Sequence, residues 1–373
     1  MMPSLSRADT SVIGRWWWTV DRWTLAAIAA LIGFGYIMML AASPAVAERI
    51  HQARDMFILK QVVFLTIAVL IVVAVSLLSP RGVRRVAVAG CLVAMVLTLL
   101  TLAGPEIKGA RRWISLPGFS MQPSEFLKPF FAVAAAWLIS EGKRPGKFPG
   151  MALACVFFAI IAGLLQSQPD VGMLAVIVGV FFLQLFISGL HYAFVGLGLL
   201  GAGAAGGLLY MIKPHVQKRV ADFMDITREG NYQVRHALEA FGNGGLLGRG
   251  PGEGRVKDVI PDVHADFVFA VAGEEFGLLV CLGLMAVFAF IVLRGIRRVQ
   301  GEPDLFVVLA AGGLAGGFGL QTLVNLATTV HLIPTKGMTL PFVSYGGSSV
   351  MAVALGMGML LALTRRRYPG ELT

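Results

Sequence analysis

Ten long, largely apolar runs follow one another along the chain, at about 23–42, 57–78, 85–104, 124–140, 150–167, 170–188, 191–212, 267–293, 305–330 and 346–363. Most approach the ~20 residues a helix needs to cross the hydrocarbon core of a bilayer. A segment in lipid must satisfy its own backbone hydrogen bonds, which leaves helices or a closed barrel. Barrel strands alternate in polarity over ~10 residues, and these runs are continuously apolar. A soluble protein could not hide a chain that is 57% hydrophobic and 14% charged, with mean hydropathy +0.77. The expected fold is an all-α, polytopic membrane bundle of about ten transmembrane helices. It forms a single integral membrane domain over 1–373, with 1–22 as a cytoplasmic N-terminal extension.

The net charge of +10 does not point to nucleic acid, because the basic residues cluster between apolar runs. Arg81, Arg84 and Arg85 share one loop; Lys143, Arg144 and Lys147 share another. Arg294, Arg297 and Arg298 form a third group, and Arg365, Arg366 and Arg367 the tail. With the N-terminus cytoplasmic, every cluster falls on the cytoplasmic side, as the positive-inside rule requires. An even number of spans then leaves both termini inside. Lys108, Arg111 and Arg112 fall outside and call for another explanation. Trp16, Trp17, Trp18 and Trp23 read as an interfacial aromatic belt. Cys91, Cys155 and Cys281 lie inside predicted spans and have no metal or disulfide spacing.

Two external loops are long, and long loops on a rigid scaffold commonly carry function. The first covers about 104–124. The second, 213–266, is a 54-residue periplasmic loop between spans seven and eight, with eight basic and eight acidic residues. Its near neutrality argues against a simple phosphate sponge. Residues 231–242 read as a short amphipathic helix, and the glycines of 242–254 as irregular backbone. Glycines in spans seven and nine (Gly196 to Gly206, Gly312 to Gly317) read as close helix packing.

Several polar groups sit where burial costs most. Asp266 stands where the long loop meets an apolar helix, so it needs a partner or a task. His264, two residues earlier, has no further metal-ligand spacing beside it, and no Gly-x-Ser-x-Gly accompanies the pair. Ser124 reads as the cap of the fourth span, with Glu125 and Lys128 three apart on one helical face. That pair is either structural or lines a polar cavity. Arg111 and Arg112 either snorkel at the headgroup level or bind a diphosphate with their guanidinium forks. Pro169 ends one helix and Asp170 caps the next. Glu274 and Glu275 divide between facing the bundle and packing. Ser344 and Ser348, in Pro341-Phe-Val-Ser-Tyr-Gly-Gly-Ser-Ser349, either begin a helix or offer hydroxyl donors to a ligand. Gln321 and Asn325 add polar lining.

Together these segments resemble the SEDS family. The resemblance rests on Lys108-Gly-Ala-Arg-Arg-Trp-Ile114, Gln122-Pro-Ser-Glu-Phe-Leu-Lys128, Gln168-Pro-Asp170, Gly244-Gly-Leu-Leu-Gly248, Pro261 to Glu275 and Pro341 to Ser349. It extends over nearly the whole chain and favours the division branch of the family over the elongation branch. The chain departs from the family at Ala265, where Thr is usual, at Asp262, where Glu is frequent, and at Pro117, where Gly is common.

The resemblance implies a peptidoglycan glycosyltransferase of the cytoplasmic membrane that polymerises lipid II at its outer face. It implies Asp266 as catalytic general base. The candidate substrate-binding residues are Arg111, Arg112, Glu125, Lys128, His264, Ser344 and Ser348. Cations for the leaving diphosphate come from Arg112, Lys128 or a divalent ion, Mg or Mn. The implied partners are a class B penicillin-binding protein with transpeptidase activity and other division proteins, in contact with membrane lipid and not with nucleic acid. Two readings compete with polymerisation: a lipid II flippase, and a non-catalytic division scaffold that recruits the transpeptidase.

Overall fold

The computed structural model describes residues 11–49, 56–106, 110–116, 119–146, 148–212, 214–225, 231–334 and 337–366. Each of the ten apolar runs is a helix: α2 Arg22–Arg49, α3 Met56–Ser76, α4 Pro80–Thr101, α5 Ser124–Gly142, α6 Gly150–Ser167, α7 Val171–Ile187, α8 Tyr192–Ile212, α13 Val268–Arg298, α14 Leu305–Thr329 and α15 Gly347–Leu363. Among the described residues, six of them (α2, α3, α4, α6, α13 and α14) are long and apolar enough to cross a membrane; α7 and α15 are shorter apolar helices. The chain is thus an all-α membrane protein.

Helix α14 lies at the centre, packed on α5, α7, α13 and α15, and α15 packs most closely on α3. The close approaches come from small residues. A Cβ added to Gly313 would lie 2.3 Å from Gln184 Nε2, and one on Gly316 would lie 2.3 Å from Leu183 Cδ2. Gln184 then reaches past Gly313, donating to the carbonyls of Ala132 (2.5 Å) and Leu309 (3.1 Å) and tying α5, α7 and α14 together. In α8 the expected tight packing is not seen at most of the described glycines, Gly206 lying outside them. Gly196, Gly201, Gly203 and Gly207 face open space, and of the glycines compared there only Gly198 meets a neighbour, Phe182.

The extension contains a helix the sequence reading lacked, α1 Val12–Thr19, capped by Ser11. Its tryptophans are not one uniform belt. Trp16 is buried and donates its indole N–H to Ser76 Oγ at 2.8 Å, whereas Trp23 is largely exposed.

Outside the apolar runs, a short antiparallel hairpin pairs β1 Ile114–Leu116 with β2 Phe119–Met121, a local exception to the helical fold. The long loop carries α9 Pro214–Met224, the expected amphipathic helix α10 Tyr232–Gly244, and two single turns, α11 Val256–Val259 and α12 Val263–Asp266. Backbone irregularity begins at Gly245 rather than Gly242, because α10 runs two residues further than read.

The irregular stretch threads a break in α13. Gly277 (φ 79°, ψ 178°) interrupts the helix. The carbonyls of Glu274 and Glu275 before the break accept from the amides of Arg249 and Gly250, and the amides of Leu278 and Leu279 after it donate to Gly245 and Leu246. The loop thereby replaces the hydrogen bonds a broken apolar helix would lose.

Candidate functional site

Asp266 ends the single turn α12, directly before α13. The residue is partly buried, while neighbouring Val263, His264 and Phe267 are buried. Asn325, buried on α14, donates its side-chain amide to the main-chain carbonyls of Asp266 (3.1 Å) and Met338 (2.6 Å). The segment from Gly337 to Leu340 is therefore pinned beside the α12 turn. Gly337 (φ +57°) lies so close that a Cβ there would be 3.4 Å from Asp266 Oδ2. A left-handed glycine at this point brings bare backbone against the carboxylate.

One helical turn away on the same face of α14, Gln321 repeats the arrangement. It donates to Thr339 O at 3.0 Å and accepts from Lys128 Nζ at 2.6 Å. Lys128 Nζ also lies 2.7 Å from Glu125 Oε2, and both side chains are mostly buried. Thr339 Oγ1 and Ser349 Oγ share a 2.6 Å hydrogen bond. The structure thus joins the Asp266 turn to the Glu125–Lys128 pair through Asn325, the irregular 337–340 segment and Gln321. Below Lys128 and Gln321 a narrow cleft of about 40 Å³ runs between α5, α7, α14 and α15, otherwise walled by apolar side chains such as Val176, Phe318 and Met357.

The remaining candidates fall into distinct settings. His264 is buried, its ring packed against Phe57 (5.1 Å) and Tyr345 (4.9 Å), and its carbonyl accepts from the Tyr345 amide. Burial pushes the Tyr345 hydroxyl above its ordinary pKa. Ser344 Oγ accepts from the Leu340 amide and closes its own turn. Ser348 Oγ accepts from the Gln122 amide at 3.0 Å and locks the hairpin to the start of α15.

Arg112 is engaged on every arm of its guanidinium. It donates to Gln168 O (2.9 Å) and Pro169 O (2.8 Å) and pairs with Asp170 (3.2 Å). Asp170 also caps α7 through the Met173 amide, as its position implied. Arg111 is the outward arginine, with a 3.3 Å bond to Leu102 O and a loose 4.0 Å pairing with Glu106. Lys108 lies outside the described residues.

Two local readings are corrected. Ser124 is not the cap of α5: Pro123 already has helical angles (φ −63°, ψ −30°), so the helix begins a residue earlier and Ser124 Oγ accepts from Gln122 instead. Glu274 and Glu275 do not divide their labour. Both are buried and both hold the glycine loop, Glu274 Oε2 accepting from the Arg255 and Val256 amides and Glu275 accepting from Gly252 N and Lys257 Nζ. Sequence reasoning missed Thr339 and Gly337. The available signal was a glycine and a hydroxyl in the short irregular stretch before Pro341.

Among the described residues no three His, Cys, Asp or Glu side chains gather as a metal-ligand set. The described donors at this site are two carboxylates, one ammonium, amides and hydroxyls. They suit proton abstraction beside hydrogen-bond donors, with the Lys128 ammonium linked to the same network through Gln321.

A profile of the FtsW/RodA/SpoVE family, described as "Cell cycle protein", matches residues 22–368. A Caulobacter vibrioides protein named "Probable peptidoglycan glycosyltransferase FtsW" is 42% identical over 98% of this chain and 94% of its own length. "Stage V sporulation protein E" of Bacillus subtilis is 33% identical over 90% and 94%. Among solved structures, a chain from a peptidoglycan synthase complex, described as coordinating polymerization and crosslinking, superposes with TM-score 0.79 and 27% identity over 92% of this chain and 97% of that one. The rod-shape-determining protein RodA of Thermus thermophilus superposes with TM-score 0.69 and 27% identity, over 93% and 97%.

Proposed function

The chain belongs to the FtsW/RodA/SpoVE family of cell-cycle proteins, and on that premise we propose how it works. It is a peptidoglycan glycosyltransferase, and it polymerises lipid II into glycan strands at the outer face of the cytoplasmic membrane during division. Ten helices span the bilayer with both termini inside, so the hairpin and the long loop face outward. The lipid tails remain in the bilayer while the headgroups meet the polar strip between Asp266 and Lys128.

Asp266 takes the proton from the acceptor sugar hydroxyl as that oxygen attacks the donor's anomeric carbon, a role typically worth ~10²–10⁴ in rate. The bond from that carbon to the undecaprenyl diphosphate breaks, and the leaving diphosphate gains charge. Lys128 and the outward Arg111 answer that charge with fixed cations. A divalent ion, Mg or Mn, would be carried by the substrate diphosphate, whose oxygens are its natural ligands. The similarity to a complex that couples polymerization to crosslinking supports a transpeptidase partner, a class B penicillin-binding protein.

One observation carries the reading: Asn325 fixes the Asp266 turn through its main-chain carbonyl, at a residue that is only partly buried where the loop meets α13. The test is glycan polymerisation by purified protein with its partner and lipid II in detergent, where lipid orientation plays no part. Wild type should make long strands and Asp266→Asn none, with folding and partner binding retained. Normal strands from Asp266→Asn refute the assignment.

A further inference from the structure

The chemistry above leaves the opposite end of the bundle unexplained. Arginines from three distant stretches meet there: Arg22 at the start of α2, Arg294 and Arg298 at the end of α13, and Arg366 beyond α15. They surround a cavity of about 540 Å³ together with Trp18 and Asp21. Four guanidinium groups face one carboxylate, so the lining carries an excess of three positive charges.

Orientation alone calls for arginines on the cytoplasmic side, but as extended, solvated side chains. These are ordered. Asp21 is almost fully buried and accepts from Arg294 Nε (2.5 Å), Arg294 Nη2 (2.8 Å) and Arg298 Nη2 (2.8 Å). Arg22 lies over the Trp18 ring at 5.1 Å and the Trp17 ring at 5.8 Å. The positions of three of the four forks are therefore set before any ligand arrives, which lowers the ordering cost of binding.

A second hollow of about 210 Å³ shares Arg294 and Arg298 and adds Arg297, Phe290 and Leu293. Phe290 and Leu293 are exposed, so this hollow opens onto the apolar flank of α13. Two adjoining cationic hollows beside a lipid-facing apolar strip match one ligand chemistry: phosphates on a head, acyl chains behind it.

We propose that this face binds an anionic phospholipid of the leaflet it borders, cytoplasmic in the orientation proposed above. The headgroup occupies the arginine hollows and the chains lie along Phe290 and Leu293. A headgroup with two phosphodiesters spans both hollows and binds more tightly than one with a single phosphodiester. The site is independent of sugar transfer and stands whether or not Asp266 is the base.

The test is native mass spectrometry of the full chain, delipidated in detergent and titrated with phospholipids bearing two, one anionic or one zwitterionic phosphodiester headgroup. The variant is Arg297→Gln with Arg366→Gln, because neither residue takes part in the Asp21 clamp. Wild type should retain one lipid per chain in the order two-phosphodiester, anionic, zwitterionic, the extremes differing by about tenfold or more, and the variant should lose about tenfold of the anionic affinity at an unchanged melting temperature. Equal retention of all three lipids overturns the proposal, as does wild-type affinity in the variant. Displacement of the lipid by inorganic phosphate at equal concentration also overturns it, by marking the hollow as a soluble-anion site. If the double variant melts early, Arg297→Gln alone and the ranking of lipids on wild type decide.

Discussion

Asn325 holds Asp266 by the main chain: its amide donates to the Asp266 carbonyl at 3.1 Å and to the Met338 carbonyl at 2.6 Å. One side chain thus fixes both the α12 turn and the irregular segment beside it. Replacing Asn325 with Ala leaves two carbonyls short of a donor, at a cost of about 1–3 kcal/mol. The carboxylate then loses its fixed position, and a displacement near 1 Å is enough to cost about 10²-fold in rate. Polymerisation by Asn325→Ala should fall by that order while the protein stays folded in a melting assay. Wild-type rates would mean that Asp266 is oriented by something else.

Glu125 and Lys128 invite a paired test. Removing one member of a buried ion pair commonly costs about 3–5 kcal/mol, because the other charge is stranded. Lys128→Met should therefore melt well below wild type. Combining it with Glu125→Gln removes both charges and should recover most of the loss. If Lys128 also serves the leaving diphosphate, the double variant will be stable and still inactive. Full activity in the stable double variant would confine the pair to structure.

Much of this was readable in the chain, for a physical reason. Lipid permits few backbone solutions, so ten apolar runs could only become helices, and each did. The amphipathic pattern after Asn231 gave α10, and Asp170 after Pro169 gave a cap. What the sequence did not reveal was which polar group meets which. Glu274 and Glu275 looked like separate roles because adjacent helical positions normally point apart, yet the glycine loop folds back and reaches both. Arg112 stayed open between snorkelling and phosphate binding because its partners, the carbonyls of Gln168 and Pro169, lie 56 and 57 residues on. Thr339 and Gly337 had no periodic signal at all, since they belong to irregular backbone. The glycines of α8 looked like those of α14; only the neighbours differ, and neighbours are a tertiary fact.

Acid sensitivity should trace to Asp21. Burial by itself would raise its pKa, but hydrogen bonds from Arg294, Arg298 and Thr24 outweigh it and hold the carboxyl at about 2, against an ordinary 3.8. A depressed carboxylate stabilises the fold fully above its unfolded value. That contribution, on the order of 2 kcal/mol, is lost as pH falls from 3.8 toward 2. The melting temperature of the detergent-solubilised protein should drop across this window, and Asp21→Asn should lower the plateau and flatten the drop. An unchanged acid limb in the variant would assign the transition to other groups.

The break in α13 makes the sharpest prediction about the fold. Gly277 has φ 79° and ψ 178°, a region essentially closed to residues with a Cβ. A Cβ there would lie 2.4 Å from Gly248 N and 2.5 Å from Leu246 O, both backbone atoms that no side-chain rotation can move. Gly248 is the reciprocal half of the joint, its added Cβ 2.3 Å from Glu275 O. Gly277→Ala must therefore expel the loop from the break, unpairing the amides of Leu278 and Leu279, and should cost about 3 kcal/mol or more. Gly283, six residues further along the same helix, has no atom within 4 Å of an added Cβ. Gly283→Ala should be neutral or stabilise by about 0.4–1 kcal/mol through the unfolded chain. Limited proteolysis of the 245–257 loop separates the cases: Gly277→Ala should be cut rapidly there and Gly283→Ala no faster than wild type. Equal protection of both variants would show that the loop is not held by the helix break.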